Sequence, residues 1–146
     1  MGKKLVILSS WKGKDDFQHL KSTLEKNITG NNTVFYLICV DQPKLIEELP
    51  QMPSVNYLSK KDFSLFGKIK TPELRGLLIN EKNGVLIVAM EESNSLLNKV
   101  IKHSKLMSIG MDKESLPRFD ITFKGAELNS GVFFKQINNY LTKIQL

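Results

Sequence analysis

"LVILSSWKGKDDF", residues 5–17, decides the fold. Leu5 to Leu8 form an unbroken apolar run, which suits a strand covered on both faces rather than one that alternates toward water. The chain then turns through Ser9-Ser10-Trp11-Lys12-Gly13 and enters a helix. A strand, a glycine corner and a helix in that order invite comparison with a phosphate cradle. This corner holds a single glycine and matches neither GxGxxG nor GxxxxGK[ST]. Asp15 and Asp16 fall at the cap or first turn, where carboxylates satisfy free N–H groups and oppose an anion. The stretch reads as a strand-to-helix corner with its own acidic cap.

The same alternation of strand and helix continues outward. Strands are predicted over 3–9, 33–40 ("TVFYLICV"), 54–59 ("SVNYLS"), 85–90 ("VLIVAM"), 105–110 ("KLMSIG") and 118–125 ("RFDITFKG"). Helices are predicted over 15–27, with Phe17, Leu20 and Leu24 in one stripe, and briefly through "KLIEEL". A third opens at Thr71-Pro72 and turns Leu74, Leu77 and Leu78 inward. A fourth is capped by Ser93 or Ser95 and carries Leu96, Leu97, Val100 and Ile101. The last runs from Ser130 to Ile144 and buries Phe133, Ile137, Tyr140, Leu141 and Ile144. Apolar strands separated by helices predict a mostly parallel sheet of about six strands with helices on both faces, a Rossmann-like three-layer α/β domain over 1–146. Strand six alternates apolar with polar and follows the short "MDKESLP" connection, so it is expected as an antiparallel edge.

Composition narrows the classes. The 146 residues are 41% hydrophobic and 25% charged, ordinary for a globular domain. No apolar run approaches the ~18 residues of a membrane span. "LVIL" is too short for an export signal, whose core needs about 7–15 residues. Gly2 lacks the Ser or Thr at position 6 that myristoylation requires. One cysteine, Cys39, cannot form an internal disulfide, and its apolar neighbours predict a buried, inert thiol. A cytoplasmic protein with no membrane partner is expected. The net charge is +6, and all but Arg75 and Arg118 of the 21 basic residues are lysine. That balance disfavours base reading, which relies on arginine forks, while leaving phosphate-backbone attraction open.

Two groups of side chains stand out. In open parallel sheets, ligands bind beyond the carboxyl ends of the strands where strand order reverses. If strands one and four are neighbours, Ser9, Ser10, Glu91 and Glu92 converge there, a set able to hold a sugar, or a metal ion through oxygen ligands. The second group lies in "KKDFSLFGKIKTPELR", residues 60–75. Lys60, Lys61, Lys68, Lys70 and Arg75 gather positive charge around Gly67 and a helix start, an anion or nucleic-acid patch. Phe63 and Phe66 either anchor this loop or form a contact surface. His19 and His103 have no catalytic partner at a recognisable spacing, and no Ser-His-Asp, HExxH or CxxC arrangement occurs. No catalytic residue, metal or cofactor is assigned.

Taken together, "KKDFSLFGKIKTPEL", "VLIVAMEESN", "HSKLMSIG" and "RFDITF" resemble a family of small bacterial α/β proteins described only as a domain of unknown function. The likeness covers most of the chain after about residue 54 and is weaker before it. It implies the fold and no activity. More distantly the chain is similar to the N-terminal half of two-Rossmann-domain glycosyltransferases such as heptosyltransferases. Those enzymes hold the nucleotide sugar largely in a second domain, which this sequence does not supply, so the likeness implies a fold without catalysis. The leading expectation is a non-catalytic binding or protein-interaction domain, with a protein partner or a second copy of the chain. The alternatives are a small-molecule binding protein or small enzyme using the strand ends, and a nucleic-acid binder using the lysine-rich loop.

Overall fold

A computed structural model describes residues 3–81, 83–125, 128 and 131–143. Six strands, β1 (Lys4–Ser10), β2 (Thr33–Cys39), β3 (Val55–Leu58), β4 (Val85–Val88), β5 (Met107–Met111) and β6 (Ile121–Phe123), form one sheet in the order β3-β2-β1-β4-β5-β6. This is the order of the doubly wound fold, and it reverses between β1 and β4. Among the described residues, four helices clothe it: α1 (Lys14–Asn27), α2 (Pro72–Leu78), α3 (Ser95–His103) and α4 (Val132–Lys143). The predicted helix at "KLIEEL" is a 3-10 turn over Pro43–Glu48. Ser130 and Ile144, predicted to start and end the last helix, lie outside the described residues.

The apolar runs are explained by the two cores they feed. Alternate residues of β1, β2 and β4 point to opposite faces. Leu5, Ile7, Tyr36, Ile38, Val85 and Ile87 meet α1 and α4, while Val6, Leu8, Leu37, Cys39, Leu86 and Val88 meet α2 and α3. All of these side chains are buried, so a charged residue at any of these positions would lose its hydration.

The sixth strand corrects the antiparallel expectation. It pairs parallel to β5, Ile109 with Ile121 and Met111 with Phe123. A parallel return usually needs a helix because the chain must travel back along the whole strand. Here the strand is three residues long, roughly 10 Å, so the segment 112–120 makes the return without one. Phe119 takes the place of a helix on that face: its ring lies directly over the backbone of Gly110. The start of the pair is fixed reciprocally. The Ser108 N–H donates to the Asp120 carboxylate at 2.8 Å, and the Asp120 N–H donates to the Ser108 hydroxyl at 3.0 Å.

A Cβ on Gly110 would sit 2.2 Å from the Phe119 ring. Gly110→Ala is expected to destabilise the protein by about 1–3 kcal/mol through overpacking. A second substitution, Phe119→Ala, should cost less in that background than in the wild type. Urea unfolding of the four-member cycle measures the coupling.

Candidate functional site

The strand-order reversal separates α1 from α3 and opens a cleft of about 450 Å³ at the carboxyl ends of β1 and β4. All four residues expected there line it: Ser9, Ser10, Glu91 and Glu92. Their roles differ. The Ser9 hydroxyl is buried and donates to the Ala89 carbonyl at 3.1 Å, joining β1 to the end of β4. Ser10 accepts a hydrogen bond from the Asn94 side chain at 3.4 Å. Glu91 is turned aside: one carboxylate oxygen accepts the Leu128 N–H at 3.2 Å, and the other lies 3.8 Å from the Lys113 ammonium. Glu92 is exposed in the cleft.

Asn94 was not foreseen. It, rather than Ser93 or Ser95, caps α3, its side-chain oxygen accepting the Leu97 N–H at 2.8 Å. Ser93, Asn94 and Ser95 run in a row across the start of this helix, and the reach to the third helical N–H selects Asn94 among them. The acidic cap expected on α1 is also corrected. Gly13, at φ 105°, is the N-cap, and no side chain caps the helix. Asp15 and Asp16 sit in the first turn and are exposed, with Asp16, Asp41 and His19 on the rim of the cleft. Among the described residues, no three His, Cys, Asp or Glu side chains converge as metal ligands would.

The second group forms a small, well-bonded hairpin. Phe63 and Ile69 pair antiparallel, and both are buried in the α2–α3 core. Between them Ser64 to Gly67 make a turn: the Gly67 N–H donates to the Ser64 carbonyl at 2.9 Å, with Gly67 at φ 79°. The Ser64 N–H donates to the Lys68 carbonyl at 2.8 Å, and the Lys68 N–H donates to the Ser64 hydroxyl at 3.2 Å. Asp62 clasps the base. Its carboxylate accepts the Ser59 N–H at 2.9 Å and the Thr71 hydroxyl, while its carbonyl accepts the Lys70 N–H at 2.8 Å.

This geometry divides the loop's aromatic residues. Phe63 is 6% exposed, with the Lys99 ammonium 5.2 Å from its ring centroid. Leu65 and Phe66 stand at the tip, 101% and 88% exposed. Because Ile69 faces inward, alternation turns Lys68 and Lys70 outward; they and Lys60 and Lys61 are exposed. Arg75 is not part of that free charge: its guanidinium donates to the Ile69 carbonyl at 2.9 Å and tethers the hairpin to α2.

The profile of a family of unknown function, DUF6913, matches residues 2–144. The chain belongs to that family. No curated protein and no solved structure matches the chain. The match spans nearly the whole length, including β1 and β2, where the likeness read from the sequence is the weaker.

Cys39 ends β2 beneath this region. Burial, with Asp41 adding to it, pushes the thiol up to about 12 against a smaller opposing hydrogen bond from Asn94. The folded chain thus keeps this proton where the unfolded chain, with an ordinary value near 9, loses it. The stabilisation is whole below pH about 9 and is lost as pH rises toward about 12. Stability should fall above pH about 9 less steeply in Cys39→Ala than in wild type, by up to about 1.4 kcal/mol per pH unit. Urea titrations across that range test this, and iodoacetamide should label Cys39 only after unfolding.

Proposed function

We propose that this chain is a non-catalytic docking domain that engages a macromolecular partner through the tip of the 63–69 hairpin. One observation carries the reading: Leu65 and Phe66 are adjacent, almost wholly exposed apolar side chains on a hairpin whose base is buried and hydrogen-bonded. Exposed apolar pairs held on an ordered element are costly to keep in water and suit contact with something else. A preformed tip also loses little conformational freedom on binding, so more of the contact energy appears as affinity. The cleft supports the non-catalytic part, since Ser9 donates to a strand carbonyl and Glu91 is held by Leu128 and Lys113. A bacterial cytoplasm is the setting we favour, in keeping with one buried cysteine.

A second reading places a small polar ligand in the switch-point cleft. It is favoured by the 450 Å³ opening, by Ser10, Asn94 and Glu92 on its wall, and by its position at the strand-order reversal. The distant resemblance to glycosyltransferase halves belongs with this reading.

Affinity capture from a lysate that retains its membranes separates the two. The material retained by wild-type protein should also be retained by a Glu92→Lys cleft variant. The Leu65→Ser/Phe66→Ser variant should lose at least about tenfold of it, as expected when contact anchors are removed. Equal unfolding midpoints would show that both variants fold. Loss on the cleft variant alone would favour the second reading.

A further inference from the structure

We propose that the partner of the hairpin is an anionic lipid surface, with Leu65 and Phe66 inserting among the acyl chains and Lys60, Lys61, Lys68 and Lys70 meeting the headgroups. This rests on the docking reading above and names its partner. The expectation of no membrane partner came from the lack of a spanning run, and among the described residues no helix is long and apolar enough to cross a bilayer. Peripheral attachment needs none.

Four properties of the hairpin favour lipid. The tip is a projecting pair of one aliphatic and one aromatic side chain, a shape that enters a fluid interface without a prebuilt pocket. The Ser64, Gly67 and Lys68 amides at the turn already donate internally, so shallow insertion leaves them satisfied away from water. Asp62 is the one acidic residue between Lys60 and Lys70, and its carboxylate is occupied by Ser59 and Thr71. Four exposed lysines against that one carboxylate leave a net positive charge on the segment. All of it is lysine, a flexible point charge suited to a diffuse anionic surface rather than to one fixed carboxylate or base edge.

Single-stranded nucleic acid fits the same charge less well. Stacking successive bases needs more than one exposed ring, and here Phe63 is buried, leaving Phe66 alone beside an aliphatic Leu65. An acidic protein would need a pocket shaped to the tip, and lysine side chains on flexible stems fix no such geometry. Neither part of the hairpin suffices by itself. Apolar contact and flanking basic charge acting together are what stable peripheral attachment requires.

The test is flotation of the full chain with vesicles of phosphatidylcholine alone or mixed with phosphatidylglycerol, at low and high salt. Binding is expected only to the phosphatidylglycerol vesicles and should weaken steeply with salt. Each of Lys68→Gln and Lys70→Gln should reduce partition about fivefold. Phe66→Ser should reduce it by at least about tenfold. In a Phe66→Trp variant the emission should shift to the blue on binding, beyond any change from Trp11, which packs against Tyr57. Failure of wild-type protein to bind anionic vesicles would overturn the lipid assignment. If capture in the lysate experiment still depended on the tip, the docking reading would stand with a protein or nucleic acid as partner. Vesicle binding unaffected by Phe66→Ser, with no blue shift, would overturn both insertion and the tip's role.

Discussion

A parallel sheet with β1 at its centre has no face that can meet water. Leu5 and Ile7 point one way, Val6 and Leu8 the other, and all four are fully buried. Both layers of cover are forced by that arrangement. On one side α1 and α4 are long enough, at 14 and 12 residues, to supply it with Phe17, Leu20, Leu24, Phe133, Phe134 and Ile137. On the other side α2 is only seven residues long, and the chain fills out the core with Phe63, Ile69 and Phe119 from segments outside the helices. The hairpin at 63–69 is thus a piece of the core before it is anything else.

That origin explains how the hairpin can hold apolar residues in solvent. Burial of Phe63 and Ile69 contributes roughly 1.5–3 kcal/mol each, and the Asp62 bonds to Ser59 and Thr71 pin the two ends. The turn between them projects because its own hydrogen bonds close it after four residues, leaving Leu65 and Phe66 with no core to reach. Arg75 and Lys99 belong to this scaffold, one bound to the Ile69 carbonyl and the other over the Phe63 ring. The exposed lysine side chains are a separate set, although the Lys68 and Lys70 backbones bond within the hairpin and its base. Structure and presentation are divided between different residues of one short segment, which is what makes the tip substitutions informative.

Much of this was legible in the amino-acid order. Continuous apolar runs identify strands buried on both faces, and the strand-order rule alone brings Ser9, Ser10, Glu91 and Glu92 to one cleft. Where reading along the chain fell short, the deciding contact lay far away in sequence. Alternation in "RFDITF" reports that one side of β6 is less covered; it carries no information on direction, which follows from Phe119 on Gly110 and Asp120 against Ser108. Glu91 looks like a free carboxylate until Leu128 and Lys113 arrive from other segments. Phe63 and Phe66 are equivalent as letters in a lysine-rich loop with no clear period. Their separation into anchor and tip depends on the Phe63–Ile69 pairing.

The central claim is that the hairpin is preformed, held by Asp62 and by its buried sides rather than by a partner. Amide hydrogen exchange of the isolated chain tests it directly at Ser64, Gly67, Lys68 and Lys70, whose N–H groups donate within the hairpin and its base. The account predicts protection of these four amides in the wild type. In Asp62→Ala that protection should fall at least about tenfold, as losing roughly 1.4 kcal/mol or more of clasp would require, while the β1 and β4 amides stay protected. Exchange of the four at the rate of an open loop in the wild-type protein would contradict it.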